Sequence, residues 1–272
     1  MENQNRKRGR PRSVFKESSA GTMQSLDRAL GTLIAVAELE RCTLSDLSRE
    51  IGIPTATAHR ILMTLSKRGF VSFDEMRQEW MIGIESYRTG AAYMKCNSVI
   101  EIGRPIMRKL MQDTGETANI AMPDTGDVVF VSQIETRNPI RAFFPPGSRT
   151  PMHASGTGKA ILAAMKPQVL EKALSVTTFH PYTNRTLVES KALMADLRTI
   201  RERGWSFDEE ERYSGMSCIG AAIFDDQSEP CAGISVSGPT ARFGAQEAKH
   251  FGKLVAKAAQ EVTLAIGGRM PQ

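Results

Sequence analysis

The chain has 272 residues, 41% of them apolar and 24% charged, which accommodates about two domains with ordinary packed cores and excludes wholesale disorder. Its longest apolar run, Cys218–Phe224, falls far short of the ~18 residues of a membrane span, and Lys16, Glu17, Ser18 and Ser19 stand where a secretory signal needs an apolar stretch. Cysteines at positions 42, 96, 218 and 231 form neither a C-x-x-C pair nor a zinc spacing, so the expectation is a reduced, cytoplasmic protein with no disulfide framework, metal or cofactor.

The formal net charge of +5 is concentrated at the front. Arg6, Lys7, Arg8, Arg10, Arg12 and Lys16 against Glu2 carry all of it, and the rest of the chain is balanced. Residues 1–22 therefore read as a basic arm that cannot fold alone and suits a polyanion, with nucleic acid the leading candidate. Arg8-Gly9-Arg10-Pro11 is the core of an AT-hook, in which Arg8 and Arg10 reach for the floor of a minor groove; the alternative is an arm that contacts only phosphates. Either way it adds salt-dependent affinity.

From Ser25, read as an N-cap, Leu26, Leu30, Leu33, Ile34 and Ala37 recur at helical spacing and predict one apolar face. Thr43 opens a second short helix with Leu44, Leu47 and Ile51 inward. Gly52 turns the chain, and Pro54 stands where a third helix begins, over Thr55–Lys67. There Ala58, Ile61, Leu62 and Leu65 face inward and leave Thr55, Thr57, His59 and Arg60 for a major groove. Phe70–Phe73 and Trp80–Ile82, around the turn Asp74–Arg77, read as a wing with Arg77 at its tip. Ser45, Thr55, Thr57, His59, Arg60 and Arg77 are thus the expected contacts of a winged helix-turn-helix over residues 23–84. His59 has no acidic residue three or four positions away, which favours a DNA contact or a solvated side chain over catalysis or metal binding.

Residues 84–113 read as helical with a break near Asn97-Ser98, and Pro105 either kinks the second piece or lies in its first turn. Residues 85–98 form the expected linker helix, whose apolar stripe suits either dimerisation or packing within a domain. Over residues 99–272, strands are predicted at Val128–Val131, Ile140–Phe143, Ile219–Phe224 and Cys231–Val236. Helices are predicted from Gly158 to Met165, near 189–203, and from Gln246 to Ile266. An antiparallel sheet flanked by helices, α+β in class, is the simplest assembly.

The loop His153–Ala160 is neither a P-loop nor a dinucleotide fingerprint: His153 and Ala160 break the first and Ile161 the second. It is either a tight turn or a helix start whose free N–H groups take a carboxylate. The acids Asp208–Glu211 read as a solvated edge. Ser235 and Ser237 alternate along a strand and share one side, and Cys218 begins its neighbour. No catalytic constellation emerges, because no histidine lies near Cys218 in sequence and Ser155 lacks the nucleophile elbow.

Taken together, Gly204-Trp205-Ser206-Phe207-Asp208-Glu209-Glu210-Glu211, Gly215–Ala222, Ile234–Pro239 and Pro151–Gly156, with Gln24–Leu30 and His59-Arg60 at the front, resemble the IclR family of bacterial transcription regulators over about residues 23–268. The resemblance implies a GAF-like sensor for small catabolic acids. Its backbone donors would be Gly156 and Thr157, its polar side chains Asp208, Cys218, Ser235 and Ser237, and its wall Met216, Ala142 and Thr150. Thr157 stands where the family commonly has alanine, and Thr150 and Ala142 where larger apolar residues are usual, which implies a roomier, more polar pocket. The implied protein is a repressor of a catabolic operon, a homodimer or dimer of dimers on double-stranded operator DNA, released by a small carboxylate or semialdehyde; an activator of the same class is the alternative. Two readings from other classes compete. One is a hydrolase using Cys218 or Ser155, opposed by the missing base; the other is an architectural DNA binder driven by the arm alone.

Overall fold

The computed structural model describes residues 23–95, 98–175 and 177–271, and the chain divides between Tyr93 and Met94 into two compact units. The arm with Arg8 and Arg10 lies outside the described residues, as does Cys96. Among the described residues no helix is long and apolar enough to cross a membrane.

The first unit runs α1 (Gln24–Glu38), β1 (Arg41–Cys42), α2 (Leu44–Glu50), α3 (Thr55–Lys67), β2 (Val71–Asp74), β3 (Glu79–Ile82) and α4 (Ile84–Lys95). The Thr43 hydroxyl accepts the Asp46 N–H at 3.2 Å and starts α2. Gly52, at φ +63°, reverses the chain before α3. The three strands pair antiparallel in the order β1-β3-β2, and the Asp74 carboxylate accepts the N–H groups of Met76 and Arg77 to close the wing turn. Val36, Leu47, Leu62, Val71 and Trp80 make the core.

Helix α1 departs from expectation. Its N-cap is Met23, so Ser25 lies inside the first turn, and its buried residues are Thr32, Ala35 and Val36. Leu26, Leu30 and Ile34 are 53%, 52% and 59% exposed. Two stripes share the same period, and the one with small residues faces inward, where Thr32 satisfies its hydroxyl on the Arg28 carbonyl at 2.7 Å.

The second unit contains α5 (Ser98–Thr114), β4 (Thr117–Asp124), β5 (Asp127–Ile134), β6 (Arg149–Pro151), α6 (Gly156–Ala164), α7 (Pro167–Ser175), α8 (Ser190–Arg203), β7 (Ser206–Glu209), β8 (Met216–Phe224), β9 (Pro230–Pro239) and α9 (Ala245–Ala265). One antiparallel sheet, in the order β6-β5-β4-β9-β8-β7, is its middle layer. On one face Ile219, Ile223, Ile234 and Val236 pack with Met107 of α5 and Val255 and Val262 of α9. On the other, Val128 and Phe130 pack with Ile161 of α6 and Leu193 and Leu197 of α8. Pro105 lies inside α5, beyond its first turn.

The expected strand Ile140–Phe143 is irregular. Its backbone carbonyls bond to side chains instead of a ladder: Thr117 Oγ1 donates to the Ala142 carbonyl at 3.1 Å and Arg242 to the Ile140 carbonyl at 3.0 Å. Pro139, Pro145 and Pro146 flank the run, and β6 takes the place beside β5.

The start of α6 touches the sheet backbone to backbone. A β-carbon on Gly220 would come within 2.8 Å of Gly156 and of the Thr157 nitrogen, and one on Gly156 within 2.7 Å of the Cys218 carbonyl oxygen. Ser206 Oγ bridges the contact, donating to the Gly156 carbonyl and accepting the Gly220 N–H at 3.1 Å. Gly220→Ala is therefore expected to destabilise the second unit by ~1–3 kcal/mol; a denaturant midpoint equal to wild type would mean that α6 can lift off β8 freely.

Candidate functional site

In the first unit, Ser45, Thr55, His59, Arg60 and Arg77 are exposed and Thr57 is half-buried. Thr55 Oγ1 lies 3.3 Å from Ser48 Oγ and belongs to the turn before α3, and Thr57 and Arg60 border a groove against Arg28 and Ala29 of α1. The 100° step of a helix puts Ala56, Arg60, Met63 and Lys67 outermost, with His59 on the flank. Arg60 and Arg77 make no salt bridge among the described residues, which leaves both charges available for phosphate or base edges.

In the second unit a small cleft opens where β8, β9 and the β7–β8 loop meet the start of α6. It is bordered by Thr150, Asp208, Met216, Cys218 and Ser237 of the expected set. Gly156, Thr157 and Ser235 lie buried just behind. Ala142 is buried but does not border the cleft, whose wall is aromatic instead, from Phe130, Phe144 and Tyr213. A larger groove lies elsewhere, beside Trp205, Lys249 and Lys253, and includes none of the expected residues.

Two hydroxyls in the site, Thr157 Oγ1 and Ser235 Oγ, are fully buried and have no hydrogen-bond partner. An orphaned buried hydroxyl costs about 1–3 kcal/mol. Ser237 Oγ is held by Asn119 Nδ2 at 3.3 Å, and Asn119 in turn accepts from Gln133 Nε2 at 3.1 Å. Ser155 caps α6 by accepting the Gly158 N–H at 3.2 Å. Burial pushes the Cys218 thiol up to about 11, which makes it an inert polar wall rather than a nucleophile. Among the described residues no group of three potential metal ligands occurs.

The acidic run is not a solvated edge. Asp208 and Glu211 are buried, and only Glu209 is exposed. The reason lies some fifty residues earlier in the chain: Lys159, itself fully buried, donates to Asp196 Oδ2 at 2.7 Å, to the Phe207 carbonyl at 2.8 Å and to Glu211. Burial alone would lower the Lys159 pKa, but the carboxylates of Glu211 and Asp196 more than offset it and raise it. Burial raises Asp208 to about 6 and Glu211 to about 7, with Lys159 opposing both shifts. Asp208 also accepts the Glu211 N–H at 2.7 Å and so shapes the loop. No local pattern marks Asn119 or Lys159. Their partners are set by strand pairing and helix packing, and the only signal was a charged residue inside an otherwise small and apolar helix.

A family model described as "Bacterial transcriptional regulator IclR C-terminal" matches residues 91–264, and one described as "IclR helix-turn-helix domain" matches residues 25–75. The chain is 42% identical over 273 residues to the HTH-type transcriptional regulator BhcR of Paracoccus denitrificans, covering 99% of this chain and 98% of that one. It is 40% identical over 265 residues to the transcriptional repressor IclR of Escherichia coli, covering 96% and 97%. In fold it is similar to an IclR homologue from Microbacterium hydrocarbonoxydans solved with 4-hydroxybenzoate, at a TM-score of 0.76 and 19% identity over 89% of this chain and 99% of that one.

Asp208 and Glu211 hold protons more tightly folded than unfolded. Their stabilising contribution is thus complete below their ordinary values of 3.8 and 4.5 and is lost as pH rises through about 6 and about 7. The unfolding temperature of the second unit is expected to fall between about pH 4 and about pH 7, and the slope to flatten in Asp208→Asn/Glu211→Gln. A wild-type slope retained in that double variant would sink the assignment.

Proposed function

The chain belongs to the IclR family of bacterial transcriptional regulators, and from that premise we propose that it is a repressor of a catabolic operon, released from operator DNA by a small organic acid. The observation that carries the ligand reading is the pair of orphaned buried hydroxyls, Thr157 Oγ1 and Ser235 Oγ, beside the N-terminus of α6. A carboxylate seated there would accept from Ser235, Ser237 and the first N–H groups of α6, and the helix dipole favours its charge. Asp208, Cys218, Met216 and Thr150 would border it, and Gly156 would keep the helix start close to the strand. The mixed polar and aromatic lining suits a small carboxylate or semialdehyde.

In the first unit, α3 enters the major groove with His59 and Arg60 toward base edges, and Ser45, Thr55, Thr57 and Arg77 serve as phosphate or turn contacts. The basic arm with Arg8 and Arg10 adds affinity through the minor groove or phosphates. The exposed stripe Leu26, Leu30 and Ile34 supports association with a second copy, and residues 85–98 act as the connector between sensor and head. A ligand that favours the non-binding state by ~1–3 kcal/mol per site is enough to switch occupancy when two or four sites act together. The same geometry would serve an activator whose ligand favours the DNA-bound state.

Arg60→Ala is expected to weaken operator binding by ~1–3 kcal/mol while the protein stays folded. A footprint unchanged by it would remove Arg60 from the interface, and protection of a single half-site would remove the dimer. Ser235→Ala and Ser237→Ala should blunt release by the effector and leave ligand-free DNA affinity intact. If both variants respond fully in a transcription assay, the acid does not sit at α6.

A further inference from the structure

The cleft holds a positive charge that the α6 site does not use. Arg212, half-buried in the β7–β8 loop, borders the cleft beside Tyr213 and Met216. Its guanidinium lies 3.8 Å from the centre of the Tyr182 ring and 5.0 Å from that of Tyr213. Its Nε is buried with no hydrogen-bond partner, and it makes no salt bridge among the described residues.

That isolation is notable, because Arg212 follows four consecutive acids. Three of them are engaged elsewhere: Glu211 pairs with Lys159, Glu209 lies 2.9 Å from Arg185, and Asp208 accepts the Glu211 N–H at 2.7 Å. Glu210 stands at a positive φ of 63°, its carbonyl accepting from Thr183 Oγ1 at 2.7 Å. The Thr186 hydroxyl, at 2.6 Å from the Glu211 carbonyl, pins the next residue. The loop that presents Arg212 is therefore fixed at both carbonyls before it, and the guanidinium rests over the Tyr182 ring with Tyr213 beside it. A guanidinium held flat by stacked rings keeps its donor fork free for a bidentate anion.

We propose that Arg212 binds a second anionic group of the effector, so that the ligand is a short dicarboxylate with one carboxylate at the start of α6 and the other on Arg212. The inference rests on the reading of the cleft as the effector site. It adds a charge requirement that the α6 end alone does not impose, because serine hydroxyls and helix N–H groups would accept a monocarboxylate equally well.

The test is calorimetric titration of the full-length protein with four-carbon dicarboxylates (succinate, malate, oxaloacetate and aspartate), with butanoate and 3-hydroxybutanoate as monoanions of the same length. Wild type, Arg212→Gln, Arg212→Lys and Ser235→Ala are compared, each with its unfolding temperature measured to establish folding. The best dicarboxylate is expected to bind at least about tenfold tighter than either monoanion. Arg212→Gln should erase that margin without changing monoanion affinity, and Arg212→Lys should restore part of it. Monoanions that bind as tightly as dianions, or a preference that survives Arg212→Gln, overturn the role of Arg212; if Ser235→Ala still weakens binding, the α6 site stands without it. Should no acid of either charge bind, the effector reading falls and the Arg212 proposal falls with it.

Discussion

A single ammonium group organises the sensor unit. Lys159 sits one turn into α6, fully buried, and its three donors go to α8 through Asp196, to β7 through the Phe207 carbonyl, and to the β7–β8 loop through Glu211. These contacts fix where α6 begins, and therefore where its N–H groups point. A buried ion pair is weak evidence for net stability, because desolvating the charges consumes most of the Coulomb gain. Its better-attested use is to specify one arrangement. Here any shift of α6 relative to α8 or the loop would leave a charge buried and alone.

The same contact makes the loop a joint between two regions. Residues 210–213 are bonded on one side to Lys159 and on the other to the irregular segment after α7, through Thr183, Thr186 and the Arg212–Tyr182 stack. That segment reaches back to the approach to α6, where the His180 carbonyl lies 3.3 Å from His153 Nε2 and Phe179 packs edge-on against the His153 ring. The loop beside the cleft thus belongs to a closed circuit of contacts: α6, Lys159, the loop, the segment after α7, and His153 again. A ligand seated on the loop, as proposed, would therefore also load the rest of the circuit.

Local pattern carried much of the fold. The Thr43 cap, the Gly52 turn and the inward set of α3 depend on neighbours within a few positions, and all of them follow from spacing. The serine pair on β9 was also legible, since strand alternation places Ser235 and Ser237 on the face of β9 opposite Ile234 and Val236. What failed did so for non-local reasons. Helix α1 carries two stripes of the same period, and only the neighbours against which it packs decide which is buried. Ile140–Phe143 has strand-like composition, but its partners are Thr117 and Arg242, over twenty and about one hundred residues away. Asp208–Glu211 looks solvated until Lys159 is brought beneath it. Arg212 was invisible because its significance is the absence of a partner, which a run of adjacent acids conceals.

The balance of charge in the cleft also limits what can bind there. A short acid has few heavy atoms and gains at most ~1.5 kcal/mol from each, so apolar contact with Phe130, Phe144 and Tyr213 cannot by itself give strong selection. Electrostatics must decide, and Asp208 lies on the cleft wall as an anion wherever pH exceeds about 6. A carboxylate entering beside it meets a like charge, which favours protonating Asp208 and turns it from an acceptor into a hydrogen-bond donor. One positive group on the far side of the ligand offsets the remaining repulsion, and Arg212 is the unpaired cation bordering the cleft. The buried lysine that fixes α6 cannot fill that role, since all three of its protons are already donated. In the proposed site the labour is divided: Lys159 holds the architecture, the start of α6 and the serines of β9 would take one end of the ligand, and Arg212 would set how much charge the other end must carry.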